Sequence, residues 1–314
     1  MMAFLSDPVF AGFLSASVRL SIPILLAALG GVFAERSGVL NVGLEGMMLA
    51  GCFAGFMITF QTDLLIFGLL AAMIVGGLVG LLLGVFAISL RANQVVVGIA
   101  INLLVAGATA FLFRLAFRAG AETPRITPFA ALDFGPLATI PVLGPMLFSH
   151  DILTYAALGL VVVSWVVLCR STIGLAVSAV GENPVAATTL GLYAIRTRYL
   201  AVIVSGILAG LGGAFLSMSA TGLFLDNMTA GRGYIALAIL ILGRRHPFGI
   251  VAASLVFGAA EALQLRAQLM PTGVPLQALI VLPYALTLVV LAGFASKSGA
   301  PKSLGQPLPK TGVR

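Results

Sequence analysis

Polar side chains that could meet a solute are few in this 314-residue chain, and several of them fall inside apolar runs. Asn41 and Glu45 stand four apart in ERSGVLNVGLEGMMLAG, residues 35–51, a spacing that puts both on one face of a helix. Gly43 and Gly46 beside them allow a close approach or a break. Gln94 begins a later apolar run, and Asn102 lies about two turns further in. An ionisable group inside a membrane span costs roughly 2.5–3.5 kcal/mol, so it faces a cavity or a partner. Two readings stand for these four residues: a polar path for a substrate, or hydrogen bonds that join helices. Glu261 and Gln264, three apart on one face, likewise either line a path or pair with Arg232 or Arg266. Glu35 and Arg36 read as a helix end.

Catalytic constellations are missing. There is no G-x-x-x-x-G-K-[ST], HExxH or GxSxG, and no paired-carboxylate arrangement. His150 and His246 sit at the ends of apolar runs; Cys52 and Cys169 lack metal-ligand spacing and read as small buried hydrophobes. The chain is therefore expected to hold no catalytic residue, no metal and no cofactor, and not to be an enzyme.

The elements that must position the polar residues are membrane helices. The chain is 60% hydrophobic and 9% charged, with a mean hydropathy of +1.15, where a globular average is about a quarter charged. An all-α polytopic membrane protein follows. Apolar runs place spans at about 12–34, 40–60, 66–90, 95–117, 151–170, 199–221, 232–243, 248–265 and 276–295. The seventh is too short to cross, so the count is eight or nine. GxxxG steps at Gly76, Gly80 and Gly84, and at Gly206 and Gly210, read as helix packing within the chain. The proline-rich stretch 119–150 reads as an external cap.

Lys and Arg in short loops favour the cytoplasm. Residues 296–314 carry Lys297, Lys302, Lys310 and Arg314 and no acid, among many Pro, Gly and Ser residues, so a disordered cytoplasmic tail is expected after a membrane domain at 1–295. Counting back puts Arg91, Arg170, Arg196, Arg198, Arg244 and Arg245 inside, and leaves the N-terminus outside. The basic residues, for a net charge of +7, are scattered over helix ends rather than gathered in a patch, which argues against nucleic acid as a partner. Arg19, the first of them, already lies in an apolar run, so no cleaved signal is expected.

One stretch interrupts the apolar pattern: AVGENPVAATTLGLYAI, residues 179–195. Asn183 suits an N-cap, Pro184 the first helical position and Gly191 the position after the last turn, predicting a helix over 184–190. At about 10 Å it cannot cross a core of roughly 30 Å, and a helix this short needs something to pack against.

With those residues laid out, the chain resembles the permease subunit of an ATP-binding-cassette importer, in the family that serves branched-chain amino acids, simple sugars and nucleosides. AVGENPVAATTLGL looks like that family's cytoplasmic coupling segment, which implies that Glu182, Asn183, Pro184, Ala186, Ala187 and Gly191 contact a separate ATPase. SGVLNVGLEGMMLAG, residues 37–51, looks most like the nucleoside branch. GYIALAILILGRRHPFG, residues 233–249, is similar to the family's short span and turn, with more charge at Arg244, Arg245 and His246 than that pattern leads one to expect. The resemblance implies a type II importer permease fold working by alternating access in a bacterial inner (plasma) membrane. It also implies partners: a cytosolic subunit holding ATP and Mg, an extracytoplasmic substrate-binding protein, and a second, non-identical permease chain. Arg114 and Arg118, four apart at the expected outer end of the fourth span, and Arg125 then either pair with acidic residues of the binding protein or reach lipid headgroups. Nucleoside leads as substrate, ahead of sugar and amino acid, with Asn41, Glu45, Gln94 and Asn102 as the candidate path. A rival, an ion-gradient-driven secondary transporter, would need an acidic or histidine relay, for which only Glu45 and Glu261 are available.

Overall fold

Runs of apolar residues as long as a bilayer is thick fold into helices because no water is left to hydrogen-bond an open backbone. The computed structural model describes residues 8–117, 124–132, 134–135, 140, 143–269, 281, 283–285, 287–289, 292 and 299–308. In chain order the helices are α1 (Pro8–Arg36), α2 (Leu44–Thr62), α3 (Leu65–Gly84), α4 (Gln94–Ala116), α5 (Leu143–Leu147) and α6 (Ile152–Arg170). There follow α7 (Thr172–Glu182), α8 (Pro184–Thr189), α9 (Ala194–Ala214), α10 (Arg232–Leu242) and α11 (Pro247–Leu269). Single π-helical turns, Val85–Ser89 and Phe215–Thr221, extend α3 and α9.

Seven helices among the described residues are long and apolar enough to cross a membrane: α1, α2, α3, α4, α6, α9 and α11. They match the first six expected spans and the eighth. The seventh is α10, whose 11 residues rise about 16 Å. The ninth, at 276–295, lies largely outside the described residues. The second begins at Leu44 rather than near residue 40, because residues 37–43 leave the helix.

Burial separates centre from periphery. The most apolar windows of α1, α2 and α9 are 83%, 72% and 72% buried, against 28–33% for α3, α4, α6 and α11, so the last four carry the lipid-facing surface. α9 packs on α1, α2 and α3, while α10 and α11 pack on α1, and α4 on α2. The glycine steps explain the closest of these contacts. A Cβ on Gly206 would run into the carbonyl oxygen of Gly76, and one on Gly80 would come within 2.7 Å of that of Val202. α3 and α9 therefore meet backbone to backbone, as helices do in lipid, where apolar burial gives them no mutual drive.

The two ends of the bundle differ. At one, Arg36, α7, α8, Arg198, Arg244, Arg245 and residues 299–308 come together. At the other, the described part of the proline-rich stretch lies along the end of α9: Ile126 N donates to Gly222 O at 2.8 Å and Phe129 N to Met218 O at 3.1 Å.

The expectation of a disordered tail is corrected over residues 301–308. Ser303 and Leu308 are buried, Ser303 N donates to Gly181 O at 3.0 Å, and Gly305 N to Gly38 O at 3.2 Å. Composition missed this because the segment is held by backbone and hydroxyl groups from distant parts of the chain and by the single apolar anchor Leu308. Lys297, Lys310 and Arg314 lie outside the described residues.

The glycine contact makes a test. Gly206→Ile should lower the thermal midpoint of the purified protein in detergent, at a cost of at least about 1–3 kcal/mol from overpacking. Gly107→Ile, where an added Cβ meets nothing within 4 Å, should leave it unchanged.

Candidate functional site

Between α1 and α2 the backbone runs unwound through the core. Gly38 takes φ +90°, and Ser37, Val39 and Asn41 are fully buried. Peptide groups there have no water to bond, so side chains must serve them. Gln94 Oε1 accepts from Leu40 N at 2.7 Å. Asn41 Oδ1 accepts from Gly43 N at 3.1 Å, and its Nδ2 donates to Ser205 Oγ on α9 at 2.8 Å. Asn102 Oδ1 accepts from Gly46 N at 2.8 Å, while its Nδ2 donates to Val42 O at 3.0 Å and to Tyr234 Oη at 2.9 Å.

Glu45, in the first turn of α2, reaches across to the start of α10. Its Oε1 accepts from Thr229 Oγ1 at 2.6 Å and Gly231 N at 2.8 Å, and its Oε2 from Gly233 N at 2.7 Å. These are the orphan donors of a helix N-terminus, where the macrodipole favours a carboxylate. The N-cap residue is Gly231, at φ +82°, so a side chain from another helix makes the cap. At the other end of α10, Glu35 Oε2 accepts from Arg245 Nε at 2.5 Å, and Arg36 donates to Arg245 O at 2.9 Å. The short helix is thus pinned at both ends by residues flanking one break.

The four residues nominated for a path do come together, and most of their polar atoms are engaged within the protein. What is left is the Nε2 of Gln94, buried without a partner, and the half-exposed Tyr234 beside Asn102. Thr229, Tyr234 and Ser205 were missed, and Arg245 was noticed only as an unexpected charge and not as the partner of Glu35. The signal available was the polar run Thr229, Gly231, Arg232, Gly233 ahead of a span too short to cross, which marks a helix start inside the bundle. Glu261 pairs with Arg232, and both line a cavity of about 330 Å³ with Gln264, Gln268 and Tyr284, so the two readings of Glu261 meet in one place.

The stretch read as a coupling segment is a pair of helices joined at Asn183, whose Oδ1 accepts from Ala186 N at 3.0 Å. Pro184 takes the first position of α8, and Gly191 follows it at φ +87°. Glu182, Asn183, Ala186 and Gly191 are exposed, but Pro184 and Ala187 are buried. Ala187 packs on Val180 of α7 and Ala194 of α9. Pro184 and Ala187, expected to contact a partner, here seat the helix on its own chain, which supplies the packing so short a helix needs. The outward surface includes Val185 and Leu190, 41% and 82% exposed, which sequence reasoning passed over.

At the opposite end Arg114 forms an exposed ion pair with Asp226 at 3.2 Å, and Arg125 is exposed. Arg118 lies outside the described residues.

Comparison with known proteins adds to this geometry. The family model described as "Branched-chain amino acid transport system / permease component" matches residues 13–291. The guanosine ABC transporter permease protein NupQ of Bacillus subtilis (strain 168) is 40% identical over 93% of this chain and 94% of its own. The nucleoside ABC transporter permease protein NupC of Lactococcus lactis subsp. cremoris (strain MG1363) is 34% identical over 91% and 92%. TsgC13 of Haloferax volcanii, named provisionally as a glucose ABC transporter permease protein, is 38% identical over 82% and 78%. The first two organisms each hold a second relative, the permease proteins NupP and NupB, 26% identical over 90% of this chain. No solved structure matches.

Removing Glu45 tests the cap. Glu45→Ala leaves a hydroxyl and two N–H groups buried without acceptors, at about 1–3 kcal/mol each, and should sharply lower the thermal midpoint in detergent. Glu45→Gln keeps one acceptor oxygen and should fall in between. An alanine variant as stable as the parent would mean that α10 is held some other way.

Proposed function

This chain belongs to the family of branched-chain amino acid transport system permease components, and from that premise we propose that it imports nucleosides by alternating access, driven by ATP bound to a separate subunit. It is a multi-pass membrane permease subunit of an ABC importer. The observation that carries the coupling is α8: one face seated on α7 and α9, the other open with Val185, Ala186 and Leu190. It lies at the end where Arg36, Arg198, Arg244 and Arg245 gather, which the positive-inside rule makes cytoplasmic. The ATPase, with its ATP and Mg, then docks on that open face, with Glu182, Asn183 and Gly191 at its edge. The substrate-binding protein meets the opposite end, where Arg114 and Arg125 are exposed. The second relatives in two organisms support a non-identical companion permease.

Two observations favour an uncharged substrate. The relatives named for guanosine and nucleosides match nearly end to end, and the cavity between α10 and α11 offers glutamines, a tyrosine and a carboxylate already paired with Arg232. An amino acid would want separate partners for its ammonium and its carboxylate. The glucose-named relative keeps sugar as the second reading. An ion-driven relay is disfavoured because Glu45 caps α10 and Glu261 is held by Arg232.

Substrate is decided by competition. Uptake of labelled nucleoside by the full complex in proteoliposomes should be suppressed by excess unlabelled adenosine and not by leucine; suppression by glucose or ribose alone would select the sugar reading. Docking is decided at the open face. Val185→Asp with Leu190→Asp should weaken ATPase co-purification by about 2 kcal/mol or more, roughly thirtyfold, while the permease still inserts.

A further inference from the structure

Arg198, in the second turn of α9, is 1% exposed, and three neutral groups hold it. Nε donates to Ser37 O at 3.0 Å, Nη1 to Gln306 O at 3.1 Å and Nη2 to Ser303 Oγ at 2.9 Å. Burying a guanidinium is a costly way to stabilise a fold, since well-packed apolar groups do as well or better. What the guanidinium adds is direction: a rigid planar fork of donors fixes each acceptor relative to the others. Here the acceptors belong to segments far apart in the chain, the start of the break after α1 and residues 303–306.

Those residues are in turn tied to the coupling segment. Ser303 Oγ donates to Gly181 O at 2.6 Å, and Ser303 N donates to the same oxygen at 3.0 Å. Gly181 is in the last turn of α7, two residues before the Asn183 junction with α8, and a Cβ there would run into Arg36 O and come within 3.3 Å of Gly38 N. Gly305 N donates to Gly38 O. The end of α7, the break after α1 and residues 303–306 therefore form one joint, with Arg198 at its centre.

We propose that Arg198 and residues 303–306 are a clamp that passes displacement of α7 and α8 to the break at residues 37–43, and through Glu45 to α10. Arg198 and Ser303 are positioning residues for coupled transport; neither touches substrate or nucleotide. The clamp rests on the reading that α8 docks the ATPase, but its test is separate from the test of that reading.

The test uses the complete transporter in proteoliposomes, with uptake and ATP hydrolysis measured on the same vesicles. The variants are Ser303→Ala, Ser303→Thr and a chain shortened after Lys302. The alanine variant and the shortened chain should keep ATPase co-purification and hydrolysis, while substrate moved per ATP falls by about fivefold or more, the low end of a typical coupling effect. Ser303→Thr, which keeps the hydroxyl, should restore the ratio. Should the shortened chain fail to fold, the alanine and threonine pair decides alone. An unchanged ratio in Ser303→Ala overturns the clamp. So does loss of co-purification in Ser303→Ala at an unchanged thermal midpoint, because the segment would then belong to the docking surface. Failure of docking itself would show independently, as an ATPase that co-purifies despite charges at Val185 and Leu190.

Discussion

Backbone that leaves a helix inside a membrane protein must find a partner for every N–H and C=O, and much of this structure follows from meeting that demand over residues 37–46. Gln94, Asn41 and Asn102 each serve a peptide group of that stretch. The same break lets Glu45 stand at the start of α2 facing the open end of α10, so one irregularity creates the need and places the group that satisfies its neighbour. Break and short helix are linked: the start of α10 has its N–H groups met by a residue that the break puts in place.

How much of this was legible in the sequence depends on the range of the interaction. Apolar runs located the spans because hydrophobic length is local. The cap at Asn183 and the turn at Gly191 were legible for the same reason: both are made within a few residues. The cluster of Asn41, Glu45, Gln94 and Asn102 could be nominated because polar residues in spans are expensive, but their partners could not be named. Asn102 bonds a backbone 60 residues away, and Glu45 a helix start more than 180 residues away. Residues 301–308 were misjudged on the same account. Arg198 meets Ser303 across 105 positions, and no local pattern of Lys, Pro and Gly announces that a buried guanidinium is waiting. Ala187 is a different case. A small residue on a short helix looks the same in sequence whether its neighbour is a partner or its own chain.

The arrangement also divides the molecule by the kind of contact each part makes. Around the break and α10, contacts are directional hydrogen bonds among groups with few alternatives, so a shift of one element re-aims the next. Along the glycines of α3 and α9 the contact is backbone against backbone, with a hydrogen bond among the described residues only at its end, between Ser89 and Tyr199. Alternating access, as proposed for this chain, needs parts that move and parts they move against, and the two kinds of contact offer one of each.

The glycine seam between α3 and α9 makes this concrete. Where Gly76, Gly80, Gly206 and Gly210 meet, no side chain stands between the helices, so no rotamer at those points can change to fill a gap. The pair cannot part a little; any separation opens a gap that nothing nearby can close. A seam of this kind favours moving as one piece over opening, so the two helices are joined more as a single thick strut than as two neighbours.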